Sequence, residues 1–596
     1  KNTIKKFDDK SSDYYLAILQ NLFFATLNTK PSEREFRSEI RGHKGYNPDF
    51  GNQYKFRYQD LFKEPAKLEE YFGEIPFLNG GLFDCLDDKQ KKYYVDGFTE
   101  IKNHQPKVPN ELFFSGEKKV DLNTEFGTTD RDYLVEGLFN ILSTYNFTID
   151  ENTMDDKEVA LDPELLGKVF ENLLASFNPE TSSTARKATG SYYTPREIVD
   201  YMVEESLKGY FQTHLQDVDQ IKEKLNDLFD QNENDNPFTS EETKLVVNLV
   251  ENVRIVDPAV GSGAFPMGAL KKLVFILSKL DKNNALWKEA QLKAADQITD
   301  PAVRSRVKES IHTYFKEKDA DYGRKLYLIQ KCIYGVDIQQ IAVEIAKLRF
   351  FIALLVDETI DKTKENWGIE PLPNLDFKIM QGNSLVSEYL GIRFTVAKDN
   401  HENNGNLRLF EDSKTKIIKE LEQKKVSYQT ESDHRKKREL KEQIEKLIFD
   451  GLVRERESRF LQRLSAIEKK YSIIKDAKAR NKAITDEKQK LASSAGFEID
   501  TNGDLISQFT SQQKTKPFFL WELYFSEVFL EKGGFDIVIA NPPYLESRHP
   551  SFTDEQKKAF QHEINQKWKS RANLITRGAD LLIYFYLISL YYLNPN

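Results

Sequence analysis

The sequence predicts an α/β protein: a sheet-and-helix core preceded by a mainly helical N-terminal domain and interrupted by an inserted helical hairpin. Three observations carry this. Short β-branched runs at 254–257, 334–338 and 535–540 each end in a polar or glycine-rich turn, the pattern of strands in an open parallel sheet. The first ~180 residues instead show helical periodicity, as at 14–26 and 161–174, broken by glycine turns and without a paired-strand signal. Between Glu411 and Leu491 the chain is dense in Lys, Glu, Arg and Gln, with Ile417, Leu421, Leu440, Ile444 and Leu447 at helical spacing.

In order along the chain, four regions follow. Residues 1–180 form the helical N-terminal domain, and a small, polar stretch from Thr181 to Gly190 marks its end. Residues 181–410 begin with Tyr193-Thr194-Pro195-Arg196-Glu197, in which Thr194 is expected as helix N-cap, Pro195 as the first helical residue and Glu197 as the reciprocal capping partner. Residues 411–499 are the charged insertion, whose plainest reading is a self-packed, solvated antiparallel coil. Residues 500–596 return to the sheet. Their run Leu581 to Leu593 is short of the roughly 18 residues that span a bilayer, so a buried helix is expected and no membrane partner.

With 596 residues the chain is long enough for two to four domains with proper cores. It starts at Lys1 with no basic-then-apolar leader, which reads as part of a longer, non-secreted polypeptide. Cys85 and Cys332 form neither a pairing pattern nor a zinc spacing, which fits a reducing cytoplasm and predicts no metal. A net charge of −9 removes any argument from overall basicity for a nucleic-acid partner. Phosphate contacts would fall to local clusters such as Arg186 with Lys187 or the segment 567–577.

The most informative residues are Asn541-Pro542-Pro543-Tyr544, directly after the run 535–540. Ligands of open parallel sheets bind outside the carboxyl ends of strands, so this tetrapeptide stands where chemistry would occur. Two prolines fix φ and keep the loop out of a ladder, leaving a rigid polar edge with an aromatic ring beside it. Such an edge suits a flat, amide-bearing substrate such as a nucleobase.

A ligand-binding constellation lies upstream. Asp257-Pro258-Ala259-Val260-Gly261-Ser262-Gly263-Ala264-Phe265 runs from a strand into a glycine turn and then the helical stretch 267–280. Pro266 stands where the dinucleotide fingerprint needs glycine, and no Gly-Lys-Ser/Thr ending follows, so a cofactor without a pyrophosphate is favoured. Asp337 ends the next strand, where a carboxylate can accept from both hydroxyls of a ribose; it lies 80 residues beyond Asp257, so a helical insertion must fill the gap. The Thr194 hydroxyl and the helix N-terminus behind it could hold a small carboxylate, such as the methionine end of S-adenosylmethionine, or simply be a well-capped start. Asn383, in the turn after 375–381, has the donor and acceptor that read an adenine edge, or is a plain turn asparagine.

Taken together and in this order, Tyr193-Thr194-Pro195, Asp257-Pro258-Ala259 with Gly261, Gly263 and Phe265, Asp337, Asn383 and Asn541-Pro542-Pro543-Tyr544 resemble the adenine-specific DNA methyltransferases of type IIG restriction–modification enzymes. The likeness spans roughly 160–590. Phage-defence methyltransferases of the BREX kind resemble the same motifs. The resemblance implies a Rossmann-like class I methyltransferase sheet, S-adenosylmethionine as cofactor and double-stranded DNA as partner. It implies that Tyr193, Thr194, Asp257, Gly261, Gly263, Phe265 and Asp337 contact the cofactor, Asn383 its adenine, and Asn541, Pro542 and Tyr544 the target base. It also implies a target-recognition domain C-terminal to residue 596 and allows an endonuclease upstream, although residues 1–180 show no Pro-Asp…Glu-x-Lys site. The departures are Asn383, where aspartate is as common, the insertion between the two halves, and an end before the remaining strands.

An Asn-Pro-Pro-Tyr loop can hold any planar amide or amine, so methylation of RNA or of protein glutamine is the enzymatic alternative. A non-catalytic DNA-binding or assembly module with a degenerate methyltransferase fold is the alternative of another class.

Overall fold

A computed structural model describes residues 3–37, 54–78, 98, 102–144, 146–148, 158–160, 194–232, 235–296, 304–305, 308, 320–358, 360–369, 371–387, 394, 405–431, 433–472, 477–494, 518–549, 552–568 and 578–594. The helical segment expected at 161–174, the boundary at 181–190, Cys85 and Tyr193 lie outside them. The chain divides into two compact units, one of Lys1–Leu166 with Leu355–Pro373 and one of Gly167–Leu354 with Asn374–Asn596.

The first unit is held by an aromatic core in which Phe56, Tyr58, Phe62, Phe72 and Phe98 pack with Leu16, Ala17 and Ala25 of the helix Tyr15–Thr26. That helix has π spacing, and the Leu27 N–H donates to the Leu22 carbonyl five residues back. Its buried polar groups are paired: Asn21 Nδ2 donates to the carbonyls of Ala17 and Arg57, and Thr26 Oγ1 to that of Asn21. Asn366 draws the later segment into this unit, bonding both the N–H and the C=O of Phe77 at 2.6 and 2.8 Å. The region also contains paired strands that the sequence reading does not foresee. β1 (Lys118–Val120) is antiparallel to β2 (Tyr133–Val135), and β3 (Asn146–Thr148) is parallel to β4 (Glu158–Ala160). Three residues are too few to show an alternation, and β1 is exposed along its length, so no buried face marks it.

The second unit is built on four parallel strands in the order β7-β6-β5-β8. In chain order its main elements are α1 (Arg196–His214), α2 (Ser240–Asn252), β5 (Ile255–Asp257), α3 (Ala264–Leu280), α4 (Ala320–Lys331), β6 (Ile333–Asp337), α5 (Gln340–Leu355) and β7 (Ile379–Gln381). After the insertion, which holds α6 to α8, come β8 (Ile537–Val538), α9 (Asp554–Lys567) and α10 (Leu581–Tyr592). β5 and most of β6 are buried, as continuous apolar runs covered by helices should be. α2 starts at a complete capping box between Thr239 and Glu242, and α9 at another between Thr553 and Gln556. α10 is not buried all round as its composition suggests. Leu581, Tyr584, Phe585, Ile588 and Tyr592 face the core, while Leu582, Ile583, Tyr586 and Leu590 are exposed, because the helix packs along one stripe only. Lys567 is withdrawn from phosphate contact: its side chain has no exposure, pairs with Glu563 at 3.2 Å and donates to the Tyr592 hydroxyl at 2.6 Å. Among the described residues no helix is long and apolar enough to cross a membrane.

The insertion comprises α6 (Gly405–Thr430) and α7 (His434–Tyr471), packed on each other, with a third helix, α8 (Ala477–Ser494), packed on α7. Ile418, Leu421 and Tyr428 of α6 and Ile444 and Ile448 of α7 join the same core as Phe519, Trp521 and Phe525, so the insertion is continuous with the sheet domain. Two ionic clusters fasten it. Asp376 accepts from Lys347 Nζ at 2.8 Å and from the Tyr428 hydroxyl, with Lys441 Nζ at 3.7 Å. Glu527 sits between Lys378 at 3.1 Å and Lys425 at 3.3 Å. Against the upward push of burial, Lys347, Lys441 and Lys437 hold the Asp376 carboxyl far below the ordinary carboxylate range.

Asp376→Asn removes the one negative charge these lysines share and is expected to cost about 3–5 kcal/mol at pH 7, the usual result of breaking a buried pair from one side. Because the folded-state pKa is depressed, the contribution is present above the unfolded value and is lost as pH falls through the folded one. Urea denaturation should therefore separate wild type from variant at pH 7 and progressively less in acid; a loss below about 1 kcal/mol would mean that the cluster does not hold the insertion.

Candidate active site

The strand order creates the site. From β5 the chain moves outward to β6 and β7, then returns to the other side of β5 as β8, so β5 and β8 flank a topological switch point where the strand ends leave a crevice. The loops after both strands open there. β8 is in register with β5, Ile255 opposite Ile537 and Val256 opposite Val538, and the Ile539 N–H continues the pairing to the Val256 carbonyl at 3.0 Å.

After β5, Asp257 Oδ1 accepts from the Ala259 N–H at 2.9 Å and starts the turn. Gly261 and Gly263 have φ of +50° and +87°, which only glycine adopts without strain. A Cβ at 261 would meet nothing nearer than the Ala259 carbonyl at 4.0 Å, so the outer side of this turn is open. A Cβ at 263 would meet Ala346 Cβ at 3.2 Å, so this glycine also lets α3 approach α5 closely. Phe265 is buried in the first turn of α3. Asp337, at the end of β6, accepts from the Gly261 N–H at 2.9 Å and the Gln339 N–H at 2.8 Å, and so ties the two loops together. The buried Arg349 completes the support by donating to the Ser262 carbonyl at 2.8 Å. Sequence reasoning misses Arg349, since a basic residue inside an apolar helix carries no motif; its one signal is that an unpaired charge there would be costly.

After β8, Asn541 lies half-buried, Pro542 is buried, and Tyr544 is 56% exposed. Asn541 Nδ2 donates to Thr194 Oγ1 at 3.0 Å, and the Tyr544 hydroxyl donates to Asn541 Oδ1 at 2.8 Å. Thr194 is therefore not the helix cap that its sequence context suggests. Pro195 takes the cap position, no side chain caps this end, and the Thr194 hydroxyl is turned to Asn541 instead. The Pro195 carbonyl accepts from Ile198 and Val199, so the helix starts at Arg196, one residue later than expected and without the expected cap. Asn383 uses its side-chain oxygen to accept from the Leu385 N–H at 3.1 Å, the arrangement of a turn asparagine. Tyr193 lies outside the described residues. Among the described residues no group of three or more His, Cys, Asp or Glu could hold a metal.

Burial pushes the Asp257 carboxyl well above the ordinary carboxylate range, the Ala259 N–H pulls the other way, and the charge of Asp337 adds to the rise. The unfolded chain therefore releases this proton at lower pH than the folded one, and the group destabilises the fold increasingly as pH rises. Asp257→Asn keeps an acceptor for Ala259 and is expected to raise the melting temperature at pH 8, with a smaller gain at pH 5. Scanning calorimetry at both values checks this, and a lower melting temperature for the variant at pH 8 would contradict the assignment.

Residues 331–596, from the end of α4 through β8 to the end of the chain, match the Eco57I restriction-modification methylase family. The chain is also similar to a protein of Methanocaldococcus jannaschii provisionally named a type II restriction enzyme and methyltransferase, at 26% identity over 564 residues that cover 89% of this chain. It spans 37% of the length of that relative. These similarities support a methylase of the restriction–modification type, and the mixed α/β architecture with a parallel sheet is compatible with a methyltransferase fold.

Proposed function

We propose that the chain is the methyltransferase portion of a restriction–modification or phage-defence protein, that it uses S-adenosylmethionine, and that it methylates adenine N6 in DNA. The observation that carries this reading is the hydrogen bond between Asn541 and Thr194, which ties the Asn-Pro-Pro-Tyr loop to the start of α1, while the pairing of β8 with β5 sets that loop next to the one with the glycine turn. The residues fit the cofactor. The open side of the turn at Gly261 leaves room for it, and Asp337, at the end of β6 beside that turn, is a carboxylate of the kind that accepts from ribose hydroxyls. In this reading Tyr193, Thr194, Asp257, Gly261, Gly263 and Phe265 line the cofactor, Asn383 is beside its adenine, and the cofactor supplies an activated methyl group.

The chain's own work is to present the amine. The N6 lone pair of adenine is delocalised into the ring and is a poor nucleophile until hydrogen bonds to its two hydrogens draw it toward tetrahedral geometry. In this reading Asn541 Oδ1 and the Pro542 carbonyl are the acceptors, and the ring of Tyr544, exposed on the same loop, swings from its contact with Asn541 to stack on a base flipped from the duplex. Positioning then supplies most of the acceleration.

Methylome sequencing of DNA from cells with and without the gene is expected to show N6-methyladenine at one sequence; methyl groups in RNA or protein alone would overturn the reading. Asn541→Ala is expected to lower methyl transfer on the order of 10²- to 10³-fold with cofactor binding retained, as loss of a preorganised hydrogen bond does. Asp337→Ala should weaken S-adenosylmethionine binding by about 1.5–3 kcal/mol in equilibrium dialysis, and unchanged affinity in a folded variant would move the ribose contact elsewhere.

A further inference from the structure

Nothing in the covalent structure of Asn541 decides which end of its amide meets the substrate. A 180° rotation about χ2 exchanges an acceptor for a donor in nearly the same volume. The acceptor end can receive a hydrogen of an exocyclic amine; the donor end would set N–H against N–H. In the observed arrangement both ends of the amide are engaged. Thr194 Oγ1 accepts from Nδ2 at 3.0 Å, and the Tyr544 hydroxyl donates to Oδ1 at 2.8 Å. These two partners differ in permanence. Thr194 is 8% exposed and precedes Pro195, whose ring fixes φ at −55° where α1 starts. Tyr544 is 56% exposed on the loop of Asn541 itself, and its ring must leave this contact if it is to lie on a base. Once Tyr544 moves, Thr194 is the partner that remains.

We propose that Thr194 is a positioning residue that acts through Asn541, its hydroxyl accepting from Nδ2 so that Oδ1 alone is offered to the amino group of the substrate. The proposal rests on the adenine-N6 reading and assigns to Thr194 a part beyond lining the cofactor. The two parts are compatible, because a hydroxyl that accepts from Nδ2 still has its own hydrogen to donate. In the resting site the Tyr544 hydroxyl takes the place that a substrate N–H would occupy on Oδ1.

The test is a double-mutant cycle in the intact protein, read as single-turnover methyl transfer to N6-adenine at saturating S-adenosylmethionine and DNA, with melting temperatures as a folding control. Thr194→Val removes the acceptor at nearly constant volume and is expected to slow transfer at least about tenfold, while Thr194→Ser keeps the acceptor and restores the rate to within about threefold of wild type. In the Asn541→Ala background Thr194→Val should change the rate less than about twofold, because residues that act through one another are not additive. Additive losses would overturn the proposal, as would a Thr194→Val rate equal to wild type. A loss confined to S-adenosylmethionine affinity and absent at saturation would also overturn it, leaving Thr194 a cofactor ligand only. Failure of the underlying reading looks different: wild type itself would transfer no methyl group to N6-adenine.

Discussion

The carboxylate of Asp536 fixes the register on which the site depends. It is 2% exposed, accepts from the backbone N–H of Arg254 at 2.7 Å and from Lys532 Nζ at 2.6 Å, and stands immediately before β8. The Asp536 and Ile537 N–H groups return to the Arg254 carbonyl at 2.9 and 3.2 Å, and Arg254 itself reaches Glu531 at 2.9 Å. These contacts lock the first residues of β5 and β8 side by side across 282 positions of sequence. A one-residue slip would reverse every side chain of a strand between faces. With β8 only two residues long, the ladder alone has little to prevent that, so the charged and backbone bonds of Asp536 set where the following loop emerges.

The same principle explains how a long charged insertion can interrupt the domain without parting its halves. Its helices bury apolar residues in the common core and place Lys425 and Lys441 against Glu527 and Asp376, carboxylates of the sheet domain. Burying charge is costly unless it is paired, and here each carboxylate is paired both with a lysine of the sheet domain and with a lysine of the insertion. The geometry of the ion clusters therefore specifies where the insertion docks, while its apolar stripe supplies the larger part of the attraction. The Phe519 N–H, after the insertion, bonds to the Val386 carbonyl, before it, at 2.7 Å, so segments on either side of the insertion are themselves adjacent.

Most of the candidate site is legible in the sequence because its parts are local. A buried strand that ends in Asp257, a turn that needs positive φ at Gly261 and Gly263, and two prolines after Asn541 each impose their geometry within a few residues. The helical periodicity of 417–447 likewise declares the insertion. What sequence reading misses is the paired short strands of the first unit, the support of Ser262 by Arg349, and the orientation of Thr194. The last is instructive. Thr before Pro and three residues before a glutamate looks like a cap, and local propensity favours that use, yet its hydroxyl accepts from an amide 347 residues away.

The sequence by itself determined the strands that lead into the site, the glycine turn, the rigid Asn-Pro-Pro-Tyr edge and the periodic insertion, since each follows from backbone restriction or from an apolar repeat acting over a few residues. Only the tertiary structure decided that β8 pairs with β5 rather than with the outer edge of β7, that Asp337 holds Gly261, and that Thr194 meets Asn541. Those are contacts between segments far apart in the chain, chosen by burial and by pairing of polar groups that no local pattern encodes.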